Sequence, residues 1–292
     1  MDRHGYADDN QLYTAIQLFR NAAAVLDKCA KLEVCLLAIQ DWLTANFLKG
    51  NPSETEIALC GTPQRLRALG LESLSIAGIN VHVADGPVRN LGVLFDSSLS
   101  LASHVRAVVS SANYHLRNVA LARHLLTNKA TRTLTQAMVV SRLDYCNSLL
   151  LGVSEELADK LQVVQNNAAR LITRTSRRNH ISPVLEDLHW LPVRARIEFK
   201  VLTLVYKAVN GIAPDYLQDL LQLYTPSRSL RSSDKNLLSV PRSKTTSFGR
   251  RAFSFLAPQL WNSLSCNLRD TQSLLAFRNT LKTVLFQKYF AR

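Results

Sequence analysis

The sequence predicts an α+β fold, with short strands and one long helix in the first hundred residues and mostly helices after them. Three observations carry this. Strand-forming residues flank a turn-prone cluster at Asp8-Asp9-Asn10, the pattern of a β-hairpin. A helical apolar stripe runs from about Ala22 to Phe47, and short strand-like segments follow it to about residue 98. From Leu101 the apolar period is helical through most of the remaining chain. The boundaries these shifts predict are 1–98, 99–178 and 179–292, with a basic loop near 225–249.

The elements follow in order. In the long helix, Val25, Cys29, Leu32, Leu36, Ile39 and Leu43 recur at alternating steps of four and three. Asn51-Pro52-Ser53 breaks it. Thr55 to Gly61 reads as a strand, as do Leu74–Ile76 and Ile79–Val83 around Gly78. Val88 to Asp96 is a further strand region, in which Gly92 marks a bulge or a close backbone approach. Val105, Val108, Ala112, Leu116 and Val119 then predict a helix. A second helix follows Thr127, with Leu134, Met138 and Leu149 among its apolar positions. Ser154 is placed to cap a third, striped by Leu157, Leu161, Val164, Ala168 and Leu171. Ser182-Pro183 starts a short helix, and Pro192 starts a longer one with Ile197, Val201, Leu204, Val205 and Ala208 inward. The chain closes on a helix with Phe277, Leu281 and Val284 inside.

Bulk properties narrow the class. At 47% hydrophobic and 20% charged residues, the 292-residue chain can bury a substantial core. No apolar run approaches the roughly 20 residues that span a bilayer, and no signal-like stretch follows Met1. An intracellular protein, nuclear or cytoplasmic, with no membrane partner is expected. Cys29, Cys35, Cys60, Cys146 and Cys266 are scattered and odd in number, so reduced thiols with no disulfide partner are expected. Charge is uneven. Residues 1–100 hold 8 basic against 11 acidic residues, while the remainder holds 27 against 11, a net of +16. A polyanion partner for the second part follows, against the blander reading of a soluble basic surface.

Tyr6-Ala7-Asp8-Asp9 resembles the catalytic acidic turn of reverse transcriptases. Its followers come in that family's order. Trp42–Glu56 (WLTANFLKGNPSETE) is similar to the helix end and strand after the turn in non-LTR, LINE-type elements of the jockey-like kind. Val88–Asp96 (VRNLGVLFD) resembles the strand pair that supports the primer end. Ser141–Leu150, Leu161–Leu171 and Leu188–Pro192 (LHWLP) resemble the helical region and C-terminal extension of the same elements. The likeness covers essentially the whole chain.

The resemblance implies a palm remnant over 1–98, a helical thumb over 99–178 and a basic extension over 179–292. It implies RNA-directed DNA polymerisation, with Asp8 and Asp9 as catalytic, Mg2+-binding carboxylates. Tyr6, Lys49, Leu91 and Gly92 would lie along the nucleotide and primer end. RNA template, RNA–DNA hybrid or DNA primer, and deoxynucleoside triphosphates if active, would be the partners. One departure is Glu54, where the family usually has lysine. Another is that the fingers and the first palm aspartate precede the turn in this family, so the chain is expected to be a fragment, catalytically incomplete by itself. The alternative is a non-catalytic remnant that binds RNA or an RNA–DNA hybrid.

Several readings stay open on the residues alone. Asp8-Asp9 is either a catalytic turn or a solvated acidic one. Arg170, Arg174, Arg177 and Arg178 either track phosphates or place cations at the negative end of a helix. Arg228, Arg231, Arg242 and Lys244 are candidate backbone contacts, with Phe248, Phe253 and Phe255 either stacking on bases or packing in a core. Trp190 and Trp261 read as packing anchors.

Overall fold

The computed structural model describes residues 2–6, 9–16, 22–51, 54–76, 79–225, 236–243, 245 and 248–290. They form a mixed α+β chain of two compact units, Met1–Ser103 and His104–Arg292.

Unit 1 holds three two-stranded antiparallel sheets. β1 (Asp2–Tyr6) pairs with β2 (Asp9–Tyr13), and the last pair of the ladder sets Tyr6 opposite Asp9. The turn is therefore tighter than the Asp8-Asp9-Asn10 cluster suggests, and Asp9 and Asn10 belong to the second strand. α1 (Ala22–Ala45) follows, with Cys29 buried, Leu32, Leu36, Ile39 and Leu43 half-buried, and Val34, Leu37 and Trp42 exposed. It ends where Phe47 turns left-handed, at φ 59°. Leu48 N–H then donates to Leu43 O at 2.8 Å and Phe47 N–H to Thr44 O at 3.1 Å, the Schellman pattern of helix ends.

Thr55 to Gly61 is not the strand its residues suggest. Only Ile57 bridges, to Val83, with Ala84 N–H donating to Ile57 O at 2.9 Å. A helix the periodicity does not reveal, α2 (Pro63–Leu69), comes next, started by its proline and stopped by Gly70 at φ 58°. Seven residues are too few to show a period. β3 (Ser73–Ile76) and β4 (Ile79–His82) form a hairpin whose facing Leu74 and Val81 are both buried. Ser75 N–H donates to Glu33 of α1 at 3.1 Å. β5 (Val88–Asn90) and β6 (Val93–Phe95) form another. Its two-residue connection, Leu91-Gly92, is left-handed at both positions (φ 44° and 81°), the twist-matched hairpin turn. Gly92 thus reverses the chain; it is no bulge within one strand.

Asp96 shapes the way out of β6. Its carboxylate accepts from Ser98 N–H at 3.1 Å, Ser100 N–H at 2.9 Å and both serine hydroxyls. Burial raises its pKa, but the serine hydrogen bonds and that from Leu101 outweigh it and hold the carboxyl below its ordinary value.

Unit 2 is helical. α3 (Ala102–Ala122) buries Val105, Ala112 and Val119 of the expected stripe and half-buries Val108 and Leu116. The second predicted helix is broken: α4 (Asn128–Thr135) passes through a π turn, Gln136–Val140, into α5 (Ser141–Asp144). Leu134, Met138 and Leu149 face outward, and Thr131, Thr135, Val139, Val140 and Leu143 are buried instead. The wide turn adds one residue to the helix and rotates α5 relative to α4, so one stripe of a single period does not run through both. α6 (Glu155–Thr173) buries Leu157, Leu161, Val164 and Ala168 as spaced, then Ile172 in place of Leu171. Ser154 caps it through its backbone carbonyl, with no side-chain cap bond.

α7 (Ser182–Asp187) and α8 (Val193–Val209) follow, then α9 (Asp215–Gln218), α10 (Phe253–Asn262), α11 (Cys266–Arg269) and α12 (Leu274–Phe290). The aromatic part of the core lies among α8, α10 and α12. Tyr206 stacks on Phe277 at 4.4 Å between ring centroids, and Trp261 sits 5.9 Å from Phe277. All three are essentially fully buried, and such ring pairs add about 0.5–1.5 kcal/mol each beyond burial. Both polar tips are satisfied: Tyr206 OH donates to Thr271 O and Trp261 Nε1 to Asn236 O, each at 2.8 Å. In α12, Leu285 is buried and Val284 is exposed, because the inward positions recur every four residues from Phe277.

The basic loop is pinned at Leu238. Leu238 is buried and bridges Leu223, and Asn262 clamps it from both sides, accepting from Leu238 N–H and donating to Leu238 O at 2.8 Å each. An apolar anchor is invisible in a segment whose composition reads as loop.

Candidate functional site

The acidic hairpin presents Tyr6 and Asp9, both exposed, at the closing pair of its ladder. Ala7 and Asp8 lie outside the described residues. Lys49 is exposed beyond the end of α1, and Leu91 and Gly92 are exposed at the tip of the β5–β6 hairpin. The strands behind these residues touch: Gln11 Nε2 of β2 donates to Asn90 Oδ1 of β5 at 2.5 Å, across 79 residues of sequence. Neither residue stands out in the sequence, since a lone Gln and a lone Asn carry no motif.

Magnesium takes near-octahedral oxygen ligands. Asp9 is the one described side-chain carboxylate at the closing end of the hairpin, and no group of three or more His, Cys, Asp or Glu side chains that could hold a metal occurs among the described residues.

The cations of unit 2 fall into two kinds. One kind is built into the fold. Arg123, 7% exposed, donates to Leu171 O, Ile172 O and Leu126 O and to Asn128 Oδ1, tying α3 and α4 to the carbonyl end of α6. Arg269 donates to Asn262 O and Leu264 O, and Arg132, itself exposed, donates to Leu188 O. Arg196 donates to Leu191 O at 2.9 Å, pairs with Asp144 at 2.7 Å and lies over the Trp190 ring. Arg170 is half-buried and donates to Asn179 O at 3.1 Å. The other kind faces solvent: Arg174, Arg177 and Arg178 at the end of α6, and Arg242 and Arg250 beside α10. Arg174 is left-handed (φ 58°) and ends the helix. Arg228, Arg231 and Lys244 lie outside the described residues.

His189-Trp190-Leu191-Pro192 joins α7 to α8 and owes its shape to α6. Trp190 is 4% exposed. The wholly buried amide of Gln165 donates to Leu191 O at 2.8 Å, and Gln162 accepts from Val193 N–H at 2.8 Å and donates to Gln165 Oε1 at 3.0 Å. The segment is a packed joint, with His189 left-handed at φ 54°. Trp190 and Trp261 both anchor the core.

All five cysteines are free thiols. Burial, then the charge of Glu33, raises the Cys29 pKa; burial, then Asp96, raises that of Cys60. Raised thiol pKa values disfavour the nucleophilic thiolate. No helix among the described residues is long and apolar enough to cross a membrane.

Compared with protein-family models, curated proteins and solved structures, the chain matches none.

Proposed function

We propose that the chain is part of a non-LTR, LINE-type reverse transcriptase: a piece of the polymerase palm in residues 1–98, then a thumb and a basic extension that grip a template–primer duplex. The observation that carries this reading is the bond from Gln11 to Asn90. In such an enzyme the acidic turn and the primer-supporting hairpin act on one 3′-hydroxyl. They must therefore meet, although 79 residues separate them. The motif order along the sequence supports the same reading.

In this reading Tyr6 and Asp9 face the primer end, Leu91-Gly92 supports it, and Asp8 and Asp9 belong to a Mg2+-dependent centre whose other ligands the described residues do not supply. The exposed Arg174, Arg177 and Arg178 contact duplex phosphates, giving position without sequence choice. The separation of exposed from fold-bound arginines favours a second reading: the helical body binds RNA or RNA–DNA hybrid with no chemistry of its own.

Both readings require salt-sensitive binding. Fluorescence anisotropy with a labelled RNA–DNA hybrid is expected to show affinity falling steeply as salt rises, and a flat response overturns them. Incubation with poly(rA)–oligo(dT), dTTP and magnesium separates them. Incorporation that Asp8→Ala abolishes supports the polymerase reading, and binding without incorporation supports the second.

A further inference from the structure

Beside α10 lies an open groove of about 600 Å³, lined by Arg242, Ser243, Arg250, Phe255, Leu256 and Gln259. Its lining is two cations, one aromatic ring, a side-chain amide and an aliphatic floor, with no acidic residue. Neither Arg242 nor Arg250 is ion-paired among the described residues, and both are exposed.

The walls are held by close backbone approaches. A Cβ on Gly249 would overlap Ser243 Oγ and come within 2.8 Å of Thr245 Oγ1, so the hydroxyls of Ser243 and Thr245 lie directly on the Gly249 backbone. Gly249 N–H donates to Thr245 Oγ1 at 2.9 Å, and Ser243 Oγ donates to Thr245 O at 2.7 Å. On the other side Gly152, at φ 77°, leaves room for Leu256 and Arg251; a Cβ there would come within 2.7 Å of Leu256 Cδ1. The Arg242 wall and the Arg250 wall are thus fixed to each other and to α10.

We propose that this groove binds single-stranded nucleic acid, one base stacking on Phe255 while Arg242 and Arg250 hold the flanking phosphates. Gln259 offers a donor and an acceptor to the edge of the base, and Leu256 packs beneath it. A ring in one groove with two guanidiniums that make no ion pair among the described residues suits a flat base with its neighbouring anions. A duplex, with its bases stacked inside, presents no ring to Phe255. The inference deepens the reading of the chain as a nucleic-acid-binding piece of a polymerase and rests on it: the groove takes the unpaired strand, and the arginines at the end of α6 take the duplex.

The test is anisotropy on the full chain with two probes, a 12-nucleotide uridine-rich RNA and a 12-base-pair RNA–DNA hybrid. Phe255→Leu is expected to weaken the single strand about tenfold and leave the hybrid unchanged. Arg242→Gln and Arg250→Gln, both at exposed positions, are each expected to lower the single-strand salt slope by roughly 0.7. Thermal melting of each variant identifies a folding defect, and the two surface arginine variants keep the test decisive if Phe255→Leu unfolds. If the arginine variants leave single-strand affinity and slope unchanged while the wild type still binds hybrid, the groove assignment is wrong and the broader reading stands. Wild-type protein that binds neither probe removes both. Equal loss on both probes overturns the single-strand assignment, and so does preferential binding of an Arg-complementary phosphopeptide.

Discussion

The buried amide nitrogen of Gln165 lies 2.8 Å from the carbonyl oxygen of Leu191 and fixes the joint between α7 and α8 onto α6. Gln165→Leu keeps the volume and removes the donor, leaving a buried carbonyl with Arg196 as its remaining partner. A loss of about 1–3 kcal/mol is expected, read as a lower urea midpoint at unchanged slope.

Arg123 reaches three carbonyls and one amide with a single planar fork. Arg123→Lys keeps the charge but provides one ammonium in place of that fork. Unit 2 is expected to lose about 2 kcal/mol, the range for hydrogen bonds to charged groups, in the same urea experiment. An unchanged midpoint would contradict the scaffolding role.

Tyr289 donates to Glu198 Oε1 at 2.9 Å beside the Lys288–Glu198 pair. Burial, then the Glu198 charge, raises the phenol far above its ordinary value. Because the folded-state pKa is the raised one, this contribution to stability is fully present below about pH 10 and is lost as pH rises beyond it. Wild type is expected to lose stability above pH 10 faster than Tyr289→Phe, measured as melting temperature against pH.

Phe47 occupies the left-handed position that ends α1, where glycine is favoured, and its side chain is wholly exposed. Phe47→Gly relieves the backbone without removing a packed contact. Unit 1 is expected to gain about 0.5–1 kcal/mol, seen as a raised melting temperature.

Arg174, Arg177 and Arg178 are the exposed cations at the end of α6. Replacing all three with alanine is expected to lower the hybrid salt slope by two to three, a little under one per phosphate contact, with little change in melting temperature.

Periodicity revealed the long elements because a stripe repeated over four or more turns averages out single exceptions. α1, α3, α6 and α8 are of this kind. α2, with seven residues, and the helix broken at Gln136–Val140 were hidden, the first by length and the second by a change of period within it. Val284 and Leu285 exchanged places for a related reason, since either fits a stripe of three-and-four steps. At the candidate site, the motif Tyr6-Ala7-Asp8-Asp9 stands in the sequence as a candidate, whereas the contact from Gln11 to Asn90 does not, because it joins ordinary residues brought together only by folding. Charge counting overstated the surface available to a polyanion. Arg123, Arg196 and Arg269 contribute to the net +16 of residues 101–292, yet each is buried or half-buried and donates to backbone carbonyls.

The π turn at Gln136–Val140 makes one helix behave as two that are out of phase. One surplus residue swings the following segment by about 100°, and that rotation aims Asp144 at Arg196. Excising a single residue there would leave a longer, smoother and individually better helix. It would also turn Asp144 away from its cation. Local irregularity here is the means by which distant parts find each other.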